Sequence, residues 1–169
     1  MSTSTLLHSL FGYKAWADEE LLARLATLDP VGQQAQRHAA LRVLDHVHVV
    51  DRIFAGHLRG MAHGYTATHT AETPSLEELS SALAASDHWY VDYVVSLNPE
   101  ILSERIAFSF TDGAAGSMSR DEMLLHVVTH SGYHRGEVGR ILSQLSVEPP
   151  RDVFTAYLHR AEPARRARS

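Results

Sequence analysis

The chain has 169 residues, 44% of them hydrophobic and 21% charged, the size of one compact domain with an ample core, which excludes wholesale disorder. Fifteen Lys and Arg against 20 Asp and Glu leave a net charge of −5, which argues against a nucleic-acid-binding face. There is no cysteine, so disulfides, thiolate catalysis and a zinc ribbon are all excluded.

The opening Met1-Ser2-Thr3-Ser4-Thr5 lacks the basic segment and apolar core of a secretory signal. No apolar run approaches the ~20 residues needed to span a bilayer, so a cytoplasmic protein without membrane contact is expected. The first helix is predicted from Thr5 to Leu28, with Leu7, Leu10, Phe11, Leu21, Leu25 and Leu28 as its apolar stripe. Ser4 or Thr5 is its expected cap, and Asp29-Pro30 its end. Val31 to Arg37 reads as a connection. A second helix is predicted from Ala39 to Gly60, burying Leu41, Leu44, Val47, Ile53, Phe54 and Leu58. The stretch from Ala62 to Thr73 is rich in Gly, His and Thr, and its length suits a functional loop better than a plain connector.

Ser75, with Glu78 three residues on, forms a capping-box signature that opens a third helix running toward Leu97. Arg105 to Phe110 alternates, and Asp112-Gly113 with Gly116 supplies a turn, which predicts a small β-hairpin. Ser119 and Glu122 repeat the capping box and open a fourth helix reaching about Leu145, where Pro149-Pro150 ends the pattern. Asp152 to His159 predicts a short terminal helix, and residues 161–169 a basic, frayed tail after a single domain over 1–160. Four helices of roughly 20–25 residues predict an all-α four-helix bundle. Tyr13, Trp16, Trp89, Tyr90 and Tyr93 recur at helical spacing, as core aromatics ordinarily do.

The chain holds 12 histidines. His126, His130 and His134 share one face of the fourth helix at four-residue spacing, with neighbouring Cβ atoms about 5–6 Å apart. Two such imidazoles can close on one cation. All three cannot, because eight residues span about 12 Å of helix axis, so either the upper or the lower pair is the candidate. On the second helix His46 and His48 lie about 200° apart around the axis, and the pattern does not choose between them. An isolated helical histidine is ordinarily a surface or hydrogen-bonded residue. A spaced pair facing further histidines on a second helix is different, because several buried imidazoles need partners and one cation serves them all. Three nitrogen ligands leave a position open, which belongs to catalytic sites.

Four segments in order resemble the DinB/YfiT-like family of metal-binding four-helix bundles: Tyr13-Lys14-Ala15-Trp16-Ala17-Asp18, His46 to Phe54, His126 to Gly136, and Pro149-Pro150-Arg151-Asp152 through Leu158. The resemblance spans nearly the whole chain. It implies a divalent metal, zinc or nickel, held by His46, His130 and His134, with His126 beside the ligands. Lys14 and Asp18 stand where the family has asparagines, and Asp51 where it has glutamate. Asp51 keeps the carboxylate for a surface or ligand-supporting role. Characterised relatives include thiol-dependent S-transferases and isomerases, so the resemblance implies a small-molecule substrate, a low-molecular-weight thiol among them. Arg52 and Arg135 lie near the proposed ligands in sequence and are candidate contacts to the carboxylate of such a thiol. A homodimer is expected by the same analogy. The alternative is a stress-related protein in which the ion is structural and a fourth ligand, from His48, His126, His57, His63 or His69, closes the site.

Overall fold

A computed structural model describes residues 3–166. Four long helices form the bundle: α1 (Thr3–Leu25), α2 (Gln34–Arg59), α3 (Leu76–Ser96) and α4 (Arg120–Gln144). Around the bundle the neighbours run α1, α3, α2, α4, so α1 sits diagonally from α2 and α3 from α4, while α2 and α3 lie side by side. Between α3 and α4 an antiparallel hairpin pairs β1 (Arg105–Ser109) with β2 (Ala115–Ser119), and α5 (Phe154–Ala161) packs on α1. No described helix is long and apolar enough to cross a membrane.

Both capping-box signatures open helices. Ser75 Oγ accepts from the Glu78 N–H at 3.2 Å, and the Glu78 carboxylate accepts from the Ser75 N–H at 2.9 Å. At Ser119 the Glu122 carboxylate accepts from the backbone N–H at 2.7 Å, while the hydroxyl turns to Asp121. Gly60 ends α2 in the left-handed region at φ 65°, which a side chain disfavours.

Several boundaries differ from expectation. α1 starts at Thr3, so Ser4 and Thr5 lie inside it, and it stops at Leu25, although Leu28 is still buried in the following turn. α2 begins at Gln34, in the stretch expected as a connection; that first turn is mostly exposed, and hydrophobic periodicity cannot register a turn that buries little. Gly116 belongs to β2 opposite Phe108, not to the turn. A Cβ there would sit 2.7 Å from the Phe108 ring, so the missing side chain lets that ring lie across the strand. Pro163–Arg166 form one turn of 3-10 helix; of the predicted tail, residues 167–169 lie outside the described residues.

The core has two apolar parts. One gathers Leu7, Phe11, Phe54, Tyr90, Met123 and Val127; the other gathers Leu21, Leu25, Leu44, Leu83, Val138 and Leu142. Between them lies a layer of charge. Lys14 is fully buried, its Nζ 2.9 Å from Asp18, 2.8 Å from Asp51 and 2.5 Å from Asp87. Arg135 adds a second cation, 3.0 Å from Asp18 and 2.7 Å from Asp152. Burial opposes the charge on Lys14, but Asp18, Asp51 and Asp87 together hold its pKa well above the ordinary value. Burial pushes the Asp51 carboxyl up to about 6 and that of Asp87 to about 7, against the pull of Lys14.

Candidate metal centre

His46 rises from the middle of α2, and His130 and His134 from successive turns of α4, its neighbour in the bundle. One ring nitrogen from each comes within 4.8 Å of the other two. The Nε2 atoms of His46 and His130 are 3.1 Å apart, close to the ~3.3 Å between two ligands of a tetrahedral ion with ~2.0–2.1 Å bonds. Among the described residues no further His, Asp or Glu joins this group.

For His46 and His134 the outer nitrogen settles which edge faces the centre. His46 Nδ1 lies 2.8 Å from the Thr68 carbonyl oxygen, so it carries the proton and leaves Nε2 as a bare lone pair. His134 Nδ1 lies 2.8 Å from the Glu137 carboxylate and is directed the same way. These are the carbonyl and carboxylate supports that metal-ligating imidazoles ordinarily have. The His130 Nδ1 is buried without a partner. Burial first, then His134 and His46, push the His130 pKa down to about 3; burial also lowers that of His46. Both rings are therefore neutral at pH 7. With no acceptor at Nδ1, His130 keeps its proton on Nε2 and donates it to the His46 Nε2 lone pair, a place that a cation in this half-buried site could take once the His130 proton moves to Nδ1.

The centre opens on a shallow basin of about 270 Å³ lined by Arg42, Val43, His46, His69, His134 and Glu137. A larger groove of about 730 Å³ between α1 and α3 contains none of the three histidines. The donors, not the volume, mark the candidate site.

Other sequence-derived candidates lie elsewhere. His126 stacks on His130 at 5.2 Å between ring centres and packs against Phe54 at 4.6 Å, outside the ligand group. His57 and His63 face each other at 5.1 Å beside the hairpin. His48 projects from the other side of α2, where burial and the nearby Arg52 push its pKa down to about 4. Arg52, one turn on from His48, is exposed on that far side and does not line the basin. Asp51 is no surface residue: it is fully buried and paired with Lys14. Arg135 is 2% exposed, its guanidinium committed to Asp18, Asp152 and Ser131, so it offers a substrate no free edge. Arg42 is the cation at the basin, and sequence reasoning missed it. It also missed Thr68, which acts through its backbone and leaves no side-chain signal, and Glu137, whose place three residues after His134 was a readable one.

A comparison with family models matches residues 1–166 to the DinB family. No curated protein and no solved structure matches the chain.

Proposed function

The chain belongs to the DinB family, and from that premise we propose a divalent-metal-dependent enzyme, of the thiol S-transferase type, acting on a small electrophile. The observation that carries the reading is the three-imidazole group with no fourth protein ligand among the described residues and a solvent-open basin beside it. His46, His130 and His134 would hold zinc or nickel. The cation, when bound, supplies Lewis acidity that brings the pKa of a coordinated thiol or water toward neutrality. The chain has no cysteine, so the thiol comes from outside. Thr68 and Glu137 orient two ligands, and Arg42 at the basin provides a positive edge for an anionic co-substrate.

The test begins with protein purified without a His-tag or nickel column. About one ion per chain, lost in His46→Ala and His134→Ala, is expected, followed by conjugating or hydrolysing turnover with small thiols across a panel of electrophiles. No metal uptake on dialysis against zinc refutes the site; a loaded protein without turnover refutes the enzyme. A structural ion is the second reading, favoured by the way the group ties α2 to α4. A cobalt-substituted protein whose spectrum does not respond to added thiol would support it.

A further inference from the structure

The segment between α2 and α3 has no regular structure, and its residues 62–74 make no backbone–backbone hydrogen bond. Yet its middle is held tightly. Asp45, fully buried on α2, accepts from the Thr70 N–H at 2.9 Å through Oδ2, and its Oδ1 lies 2.9 Å from the Thr70 hydroxyl, whose single proton it shares with the Glu72 carbonyl at 2.5 Å. Arg42, one turn earlier, donates to the Thr70 carbonyl at 2.9 Å and lies 3.4 Å from the Asp45 carboxylate. Two residues before Thr70, the Thr68 carbonyl accepts from His46 Nδ1. The tripeptide Thr68-His69-Thr70 is thus fastened at both ends to one stretch of α2, and His69 between them lines the basin.

We propose that Asp45 is the positioning residue of the metal centre, acting through Thr70 to keep the Thr68 carbonyl on His46. Resting on the metal reading above, this assigns the His-rich loop a task. A neutral imidazole has one ring proton, and whichever nitrogen finds an acceptor keeps it. With the Thr68 carbonyl in place, His46 holds its proton outward and its Nε2 lone pair inward. Without the clamp, no backbone ladder keeps that carbonyl in position, and Nε2–H becomes an accessible form that cannot ligate.

The test needs no activity. In metal-free, 15N-labelled protein at pH 7, the ring nitrogens of His46 should report the Nδ1–H tautomer. Asp45→Asn should convert this to a mixture and weaken zinc binding, measured against a chromophoric chelator, by about 10- to 100-fold. Thr70→Ser, which keeps both donors, should match wild type, and Thr70→Val should fall between. A wild-type tautomer and zinc affinity in Asp45→Asn overturn the proposal; should that variant fail to fold, the same result in Thr70→Val overturns it. A wild-type chain that takes up no zinc while its tautomer still depends on Asp45 refutes the metal reading and leaves the positioning role standing.

Discussion

Lys14→Met should be among the most damaging substitutions in the chain, and its cost should depend on pH. The Lys14 ammonium, fully buried, meets three carboxylates that are each at most 5% exposed. Removing it leaves Asp18 with Arg135, and Asp51 and Asp87 with no cation in contact among the described residues. Removing one partner of a buried pair costs about 3–5 kcal/mol, a large part of the ~5–15 kcal/mol that holds a domain folded. The folded variant can lower that cost by taking up protons. Asp51 and Asp87 already sit at about 6 and about 7 with Lys14 present, and without it they rise further. Unfolded aspartates titrate near 3.8, so between pH 4 and 7 the folded variant binds more protons than its unfolded form, and its stability rises as pH falls. Each proton bound in excess of wild type recovers up to about 1.4 kcal/mol per pH unit. Urea unfolding of metal-free protein should therefore show a deficit of about 3–5 kcal/mol at pH 7.5 that shrinks by roughly 1–3 kcal/mol at pH 5.5. A deficit below ~1 kcal/mol, or one identical at both pH values, would refute the reasoning.

Glu137→Gln removes the carboxylate behind His134 and should weaken zinc binding about 10- to 100-fold with little change in helical circular dichroism. For His130, held near 3 in the fold and near 6.5 when unfolded, the unfolded chain is the better proton acceptor. Its contribution is complete above pH 6.5 and lost as pH falls toward 3; in urea titrations of metal-free protein, His130→Gln should lose less stability than wild type between pH 7.5 and 5. Gly60→Ala places a Cβ in the left-handed end of α2 and should cost about 1 kcal/mol, read as a lowered urea midpoint. Ser75→Ala breaks one half of the α3 capping box and should cost about 0.5–2 kcal/mol by the same measurement.

The helices were legible wherever apolar spacing and caps agreed. Ser75 with Glu78 and Ser119 with Glu122 mark starts because the orphan N–H groups of a first turn demand such acceptors. The first turn of α2 was hidden because it buries little. The charged layer was hidden for the opposite reason. Lys14 and Asp18 fall on the same stripe as Leu7, Phe11, Leu21 and Leu25, at steps of three and four, but charged residues are read as solvent-facing by default. Asp51, Asp87 and Arg135 hold the equivalent place in the stripes of α2, α3 and α4. The spacing of the histidines limited the ligand pairs on α4. Choosing among them took the family resemblance, and the support from Thr68 became visible only in three dimensions.

The buried charges also act as a ruler. An apolar bundle tolerates one helix slipping past another, since one leucine replaces the next in much the same hole. Here a slip of one turn, about 5.4 Å, would carry Lys14 off its carboxylates into hydrocarbon and leave those carboxylates unpaired. The penalty falls on every helix, because α1, α2, α3 and α4 each contribute to the layer. Axial alignment of α2 against α4 is therefore fixed by ionic contacts independent of the imidazoles. The distance from His46 to His130 is set without any ion, so a cation bound there would meet a gathered set of donors and need not assemble them.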